Sequence, residues 1–281
     1  MEVINPEPYL LLDAGDGQKV EQIGSFKTMR QAAQAHWPAQ SSSLWQDPDA
    51  IHHRSRSGGG SWSFQRKLPK SWPVTWGGLK FWIKLTDFGH IGMFPEQAEN
   101  WDWIRAQCKT ERPRVLNLFG YTGGSSLAAA SAGAEVTHVD ASKGVVSWGR
   151  DNQSLNELDD KTIRWIVEDC TKYMQRERRR GSFYQGLILD PPSFGRGPNG
   201  QAWKIEEALI PLLLEAKAIM KPLAFVLLSC HTPGFTGLSL ANVLNAVFDL
   251  PLGSIENGEM VVEMANSERV LPSGTYARWS A

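Results

Sequence analysis

Acidic and glycine-rich positions follow apolar segments in the second half of the chain. The segment "RVLNLFG" leads into "YTGGSS", where Gly120 allows the backbone to turn sharply and to come close to a ligand. The next apolar segment ends at Asp140, 20 residues after Gly120, where a carboxylate can accept hydrogen bonds from both hydroxyls of a ribose. A third ends at Asp169, placed to accept from the exocyclic amine of an adenine, although each acid alone would also serve as a helix cap. Together these positions predict a nucleoside site, but not a dinucleotide site, because the GxGxxG spacing is absent.

The stretch "LILDPPSFGRG" ends a fourth apolar segment at Asp190 and two prolines. Proline lacks an N–H and has a fixed φ, so Pro191 and Pro192 predict a stiff turn whose carbonyl oxygens point into a crevice instead of pairing along a sheet. Together with Asp190, those oxygens would hold the flat edge of a base. Phe194 would stack on a base that has been pulled out of its helix.

A cysteine, Cys230, ends the following apolar segment, "LAFVLLSC". A thiolate that adds to carbon 6 of cytosine makes carbon 5 nucleophilic, so Asp190 and Cys230 are the candidate catalytic residues. The neighbouring His231 would either lower the pKa of this thiol or only fill space. Two alternatives stay open. A cysteine at a buried strand end is commonly an inert apolar residue, and an exocyclic amine as acceptor would need Asp190 and the carbonyls but not Cys230.

These residues need a scaffold that brings the ends of several segments together. From Arg114 onward, strand-like apolar segments alternate with helical ones, which predicts an α/β domain with a doubly wound, mostly parallel, seven-stranded sheet. In such a sheet ligands bind at the carboxyl ends of the strands, near the point where the winding direction reverses. The candidate residues would therefore lie along one edge of the sheet.

The first part of the chain has a different composition. Residues 1–75 are rich in Trp, Ser, Gly and Pro and predict a small, β-rich N-terminal extension, with one short helix over 27–36 in "KTMRQAAQAH". The catalytic domain would occupy residues 76–281.

Bulk composition narrows the possible partners. A formal net charge of −1 and a pI near 6.6 give no general attraction to nucleic acid or to an acidic membrane. An RNA partner would need a local basic patch, for which "KYMQRERRR" is a candidate, although such a run is more commonly a solvated helix face. Because no run of about 18 apolar residues and no signal-peptide pattern is present, we expect a soluble, cytoplasmic protein without a membrane partner. The three cysteines lack CxxC spacing, which argues against a disulfide framework and against a bound metal.

Five segments in order, "FGHIGMFPEQ", "VLNLFGYTGG", "VTHVDASK", "EDCTKYM" and "LILDPPSFGRG", together resemble the class I S-adenosylmethionine-dependent methyltransferases. Within that class they are similar to the branch containing bacterial large-subunit ribosomal RNA base methyltransferases, notably the cytosine-5 enzymes. The resemblance covers residues 60–281 and implies a Rossmann-like fold with S-adenosylmethionine as the cofactor. The residues that it implies for cofactor binding are Phe94, Pro95, Gln97, Asn117, Phe119, Gly120, Tyr121, Thr122, Asp140, Ala141, Asp169, Cys170 and Asp190.

The resemblance also implies roles within that set. Phe94, Pro95 and Gln97 would close over the cofactor near its sulfonium, and Asn117 stands where many enzymes of the class carry an acid. The implied substrate-binding residues are Pro191, Pro192 and Phe194.

The function that the resemblance predicts is transfer of a methyl group to a base in RNA, with cytosine carbon 5 of ribosomal RNA as the first acceptor. One alternative is methylation of an exocyclic amine, such as that of guanine. Another is a non-catalytic RNA-binding or assembly factor that retains the cofactor pocket. A small-molecule or protein acceptor also stays open, and the sequence indicates no oligomeric state.

Overall fold

The computed structural model describes residues 6–40, 42–55, 59–109, 112–196 and 202–281. The chain separates into two compact units. The first comprises Met1–Ala98 and Val261–Ser273, and the second comprises Glu99–Met260 and Gly274–Ala281. This division does not test the domain boundary predicted at residue 75, which stays a prediction.

Antiparallel strands dominate the first unit. Five strands form a sheet in sequence order: β1 Tyr9–Gly15, β2 Gln18–Ile23, β3 Phe26–Gln31, β4 Ala50–Arg54 and β5 Gly60–Phe64. Neighbouring strands in this sheet pair antiparallel, except that β3 and β4 pair parallel. A separate two-stranded sheet consists of β6 Trp72–Trp76 and β7 Leu79–Ile83. The helix predicted over 27–36 is wrong, because Phe26–Gln31 pairs in register with β2, for example Met29 with Val20. Pairing within the sheet overrides the local helix propensity of the segment.

A buried ionic cluster lies within this first unit. Glu21 is fully buried, and both of its carboxylate oxygens accept hydrogen bonds from Arg30 at 2.6 Å. Lys19 lies 3.0 Å from the same carboxylate, and the hydroxyl of Tyr9 donates to it at 2.8 Å. Burial alone would raise the pKa of Glu21, but the two cations outweigh burial and hold it at about 2.

Alternating helices and strands build the remainder of the chain. After a 3₁₀ turn over Pro95–Gln97 come α1 Ala98–Cys108, β8 Arg114–Leu118, α2 Gly124–Ser131, β9 Glu135–Asp140, α3 Lys143–Leu155, β10 Ile163–Val167, α4 Cys170–Arg180 and β11 Tyr184–Leu189. They are followed by β12 Phe194–Arg196, β13 Ala202–Lys204, α5 Ile205–Lys217, β14 Met220–Cys230, α6 Gly237–Phe248, a 3₁₀ turn over Leu252–Ser254, β15 Glu256–Glu263 and β16 Val270–Ser280.

Seven of these strands form one sheet in the order β10-β9-β8-β11-β14-β16-β15. The strands from β10 to β14 are parallel, and β16 pairs antiparallel with β14. The predicted doubly wound, seven-stranded, mostly parallel sheet is therefore confirmed. The order reverses at β8 and β11, so the exits of these two strands lie side by side at the switch point where α/β proteins bind ligands.

Continuous apolar segments form the central strands, as expected for a parallel sheet that is covered on both faces. Leu116, Leu118, Leu187 and Leu189 of β8 and β11 are all fully buried. The register pairs Leu118 with Leu189, the last residue of β11. The loop after β8 and Asp190 after β11 consequently start from neighbouring positions.

Candidate functional site

The loop that follows β8 has an unusual backbone. Phe119 and Tyr121 adopt φ values of 55° and 51°, and Gly123 adopts 92°. Left-handed backbone is uncommon for residues other than glycine, and it clusters at ligand sites. Gly120 stands between the two strained residues, and its N–H donates to the carbonyl of Val139 at 3.2 Å. This bond ties the loop to the neighbouring strand β9.

Steric crowding requires a glycine at position 120. A Cβ atom placed there would lie 2.5 Å from Nδ1 of His138 and even closer to Cε1, which is nearer than such atoms approach in proteins. The loop thus rests directly on the imidazole ring below it. The helix that follows, α2, begins at Gly124, and its N-cap residue, Gly123, provides no side-chain cap. Its first N–H groups suit an anionic group such as a carboxylate.

Asp140 holds this loop from the end of β9. Its Oδ2 accepts from the N–H of Tyr121 at 3.1 Å, and its Oδ1 accepts from the N–H of Ser142 at 2.8 Å. Burial raises the pKa of the carboxyl, and the two backbone donors oppose that rise. Each carboxylate oxygen can accept a further hydrogen bond, so the side chain can still bind two ribose hydroxyls. Ala141 lies next to it and is exposed.

A buried polar network supports the loop from below. Asn117 Nδ2 donates to Ser126 Oγ at 2.9 Å, and Ser126 Oγ lies 3.0 Å from Nδ1 of His138. Burial lowers the pKa of His138 to about 3, so its ring is neutral. Asn117 is only 2% exposed, and its amide nitrogen belongs to this network. Sequence reasoning missed Ser126 and His138. The available signal was a histidine two residues before Asp140, on the same face of the strand.

The other implied cofactor residues surround the loop. The ring of Phe119 packs 5.2 Å from that of Trp203, and the ring of Tyr121 lies 6.3 Å from that of Trp148, measured between centroids. Thr122 is buried, and its carbonyl accepts from the amide of Asn152. These contacts pack the loop against β13 and against helix α3.

Asp169 and Cys170 begin helix α4. Asp169 is the N-cap, and its Oδ1 accepts from the N–H of Lys172 at 2.9 Å. The capping role considered for this acid is therefore real, and it engages one oxygen. Cys170 is buried, and burial raises the pKa of its thiol. It contributes bulk beside Asp169.

At the corner after β11, the carbonyl oxygens form hydrogen bonds that the sequence did not predict. The carbonyl of Pro192 accepts from Nε1 of Trp203 at 2.6 Å, and that of Ser193 accepts from the N–H of Ile205 at 3.2 Å. These bonds join the two ends of a β-hairpin in which β12 pairs with β13. The expectation that the carbonyl oxygens of the Pro191–Pro192 turn point into a crevice is therefore wrong for the carbonyl of Pro192. Pro191 is buried, whereas Phe194 is 57% exposed on β12.

Asp190 meets the exit of the next strand. Its Oδ1 lies 3.2 Å from Nδ1 of His231, directly after β14. Thr232 Oγ1 donates to Ser193 Oγ at 2.7 Å and joins the same two segments. The structure thus places an acid, an imidazole and two hydroxyls together at the exits of β11 and β14.

Cys230 lies beneath this corner. It is 1% exposed, and burial raises the pKa of its thiol. The N–H of Thr232 lies 3.4 Å from its sulfur. This environment disfavours a thiolate.

Phe94, Pro95 and Gln97 belong to the first compact unit. Pro95 and Gln97 are buried, the carbonyl of Pro95 accepts from Nε1 of Trp76, and the ring of Phe94 lies 5.4 Å from that of His90. Their predicted position near the cofactor stays a prediction.

The basic segment in α4 forms ion pairs. Arg176 pairs with Glu168, Arg178 with Glu215, and Arg180 with Glu177. An RNA backbone would have to compete with these carboxylates for the three guanidinium groups.

The described residues contain neither a membrane-spanning helix nor a cluster of metal ligands. No helix among them is both long and apolar enough to cross a bilayer. They also contain no group of three or more His, Cys, Asp or Glu side chains that could hold a metal ion. All three cysteines are buried and have free thiols.

The sheet order, the glycine-rich loop at the switch point and the acid at the end of β9 define a Rossmann-like methyltransferase fold. The chain matches the sequence model of the S-adenosylmethionine-dependent methyltransferase family over residues 16–218, and it belongs to that family.

Solved structures agree with this assignment. A SAM-dependent methyltransferase from Agrobacterium tumefaciens is 38% identical, with a TM-score of 0.89 over 97% of this chain and 90% of that one. A methyltransferase from Streptococcus mutans is 17% identical, with a TM-score of 0.76 over 98% of this chain and 75% of that one. A methyltransferase solved in complex with SAH is 18% identical, with a TM-score of 0.74 over 97% of this chain and 75% of that one. The last two show a shared fold.

Curated relatives match a shorter part of the chain. The ribosomal RNA large subunit methyltransferase K/L of Pseudoalteromonas translucida is 33% identical over 160 residues, which are 56% of this chain and 22% of that protein. The protein of the same name from Alteromonas mediterranea is 32% identical over 160 residues, again 56% of this chain and 22% of that protein. The chain spans about a fifth of the length of these relatives.

The cofactor of the family is S-adenosylmethionine, and the residues at this edge of the sheet fit it. Asp140 offers acceptors for a ribose diol, Asp169 offers one for an adenine amine, and the uncapped start of α2 suits a carboxylate. Asp190 lies at the exit of the adjacent strand β11.

Proposed function

We propose that this protein transfers a methyl group to a nitrogen atom of a base in RNA, with large-subunit ribosomal RNA as the substrate. Membership of the methyltransferase family supports the reaction. The names of the curated relatives support the RNA, through the 160-residue segment that they share with this chain.

The cofactor supplies a methyl group on a positively charged sulfur, and the chain must align an acceptor with it. Asp190 is the acidic side chain at the corner where an acceptor would lie, and its carboxylate can accept an N–H of a base. Phe194 exposes its ring four residues further on, where a flipped or single-stranded base can stack. The hairpin bonds at Pro192 and Ser193 give this corner a fixed shape.

The burial of Cys230 is the observation that favours nitrogen over carbon. Cytosine carbon 5 needs a thiolate to add to carbon 6, whereas an amine carries its own lone pair. A thiol that is 1% exposed with a raised pKa is a poor source of thiolate. Asp190 is partly exposed and stays accessible to an amine.

Cytosine carbon 5 is the second candidate, and one observation favours it. β11 and β14 are adjacent and pair Leu189 with Leu228, so Cys230 ends its strand beside Asp190. Covalent catalysis would require this corner to open and expose the buried thiol.

Mass spectrometry of nucleosides tests the proposal. Ribosomal RNA is compared between cells with and without the protein, and between cells carrying Cys230→Ala or Asp190→Asn. We expect the loss of one N-methylated base without the protein and with Asp190→Asn, and its retention with Cys230→Ala. A lost 5-methylcytidine that also disappears with Cys230→Ala would establish the carbon-5 reaction instead. An unchanged RNA, with no transfer from labelled cofactor to RNA, would favour the non-catalytic alternative.

A further inference from the structure

His231 faces Asp190 across the exits of β14 and β11. The distance of 3.2 Å between Nδ1 and Oδ1 is within reach of a hydrogen bond. The two side chains are 31% and 25% exposed, so the pair lies at the surface of the corner and not in the core. This carboxylate and the thiol of Cys230 are two titratable groups that face the imidazole.

The backbone fixes the other flank of the same ring. A side-chain carbon placed at Gly274 would lie 3.1 Å from Cδ2 of His231, so the main chain runs closely alongside that edge. Nδ1 and Cδ2 are the two ring atoms bonded to Cγ. With one facing a carboxylate and the other facing Gly274, Nε2 lies at the outer end of the ring. The carboxylate of Asp190 and the main chain at Gly274 therefore orient the imidazole ring from its two sides.

This placement also sets the tautomer. An ionised carboxylate only accepts hydrogen bonds, so Nδ1 of the neutral ring carries the hydrogen and Nε2 carries the lone pair. A carboxylate that orients an imidazole in this way is the arrangement by which histidine acts as a general base in serine hydrolases. In this protein, the same pairing stands beside the proposed acceptor site.

We propose that His231 is a catalytic residue that accepts the proton released by the acceptor nitrogen, with Asp190 as its orienting partner. The inference rests on the proposed function, in which that acceptor belongs to an RNA base. As the new N–C bond forms, the S–C bond breaks and its electron pair stays on sulfur. The hydrogen of the amine passes as a proton to Nε2, and the carboxylate of Asp190 stabilises the imidazolium that results.

The presence of a proton acceptor, His231, at this position narrows the class of substrate. An exocyclic amino group, or a ring nitrogen that bears hydrogen, must lose a proton when it is methylated. A ring nitrogen without hydrogen has no proton to give and would not use His231. The acceptor is therefore an N–H group of a base.

The kinetic test compares wild type with His231→Gln, and uses His36→Gln, an exposed histidine of the first unit, as the matched control. Single-turnover transfer of labelled methyl groups to ribosomal RNA is followed between about pH 5 and 9. We expect His231→Gln to slow transfer by about 10²–10⁴-fold and to remove the rise in rate with pH that the imidazole causes. The control should keep both the rate and the profile.

Two measurements without turnover accompany it. Imidazole nitrogen NMR of the free protein should find hydrogen on Nδ1 of His231 and uptake of the second proton at Nε2 on acidification. Asp190→Asn should remove the tautomer preference. Calorimetry should give His231→Gln the same affinity for S-adenosylmethionine as wild type.

The outcomes separate this inference from the proposed function. If wild type methylates a base nitrogen and His231→Gln does so at the same rate with the same pH profile, the role of His231 is overturned and the proposed function stands. Hydrogen on Nε2 in place of Nδ1 also overturns it. If wild type methylates carbon 5, or no RNA base, the proposed function fails and this role fails with it.

Discussion

Replacing Gly120 by alanine perturbs the cofactor loop at its closest contact. The new Cβ atom would lie 2.5 Å from Nδ1 of His138, closer still to Cε1, and 3.1 Å from Nδ2 of Asn117. His138 cannot move aside cheaply, because it is fully buried and bonded to Ser126. The loop itself must therefore shift, and this shift distorts the hydrogen bond from the N–H of Tyr121 to the carboxylate of Asp140.

The free energy cost of Gly120→Ala comes from overpacking of this site. An added methyl group in a tightly packed site typically costs about 1–3 kcal/mol. If that cost falls on the loop conformation that binds the cofactor, affinity drops by about 5-fold to 150-fold, since about 1.4 kcal/mol corresponds to a factor of ten. Removing the ring with His138→Ala should reduce the cost of Gly120→Ala, because the two changes share one contact.

Isothermal titration with S-adenosylmethionine and thermal unfolding measure both effects. Gly144→Ala is the matched control, because a Cβ atom at Gly144 meets nothing within 4 Å and the residue lies inside helix α3. That variant should bind the cofactor normally and unfold at the same or a slightly higher temperature. Wild-type affinity and stability in Gly120→Ala would refute the assigned contact.

Three further predictions concern other parts of the chain. The pKa of Asp140 is raised, and a protonated carboxyl loses a hydrogen-bond acceptor, so affinity for the cofactor should fall as pH drops through that pKa. Calorimetry at a series of pH values checks this prediction. An affinity that does not change with pH would contradict it. The pKa of Glu21 is about 2 in the fold against an ordinary 4.5, so this group stabilises the protein above pH 4.5, and denaturant unfolding should show that stability being lost as pH falls from 4.5 towards 2. Glu21→Gln should lack this dependence and cost about 3–5 kcal/mol at neutral pH, because it leaves buried cations without their anion. Phe194→Ala should raise KM for RNA by the equivalent of about 1–3 kcal/mol without changing cofactor affinity. Phe88 is an exposed residue of the first unit, and Phe88→Ala should change neither quantity. Equal effects of the two variants would argue against stacking at residue 194.

The sheet was predictable from the sequence because its strands are continuous apolar segments that end at acids and glycines. Gly120, Asp140 and Asp190 all lie at strand exits, as the alternation of helices and strands predicted. Local sequence sufficed here, since parallel strands that share one edge must bring their ends together.

Contacts made at a distance along the chain were not predictable. The helix expected over 27–36 is partly a strand, because its hydrogen bonds go to β2. The amide of Asn117 meets Ser126 and His138, which only the folded sheet brings together. The carbonyls of Pro192 and Ser193 are taken by Trp203 and Ile205, ten or more residues further on.

The most direct test of the binding pocket is calorimetric titration of S-adenosylmethionine into wild type, Asp140→Asn and Asp160→Asn. Asp160 is an exposed acid paired with Lys161, and it serves as the control for removing one charge. We predict stoichiometric binding to wild type, equal binding to Asp160→Asn, and a loss of about 10-fold to 150-fold in Asp140→Asn, the worth of a hydrogen bond to a charged group. No binding by wild type, or full affinity in Asp140→Asn, would contradict the assignment of this pocket.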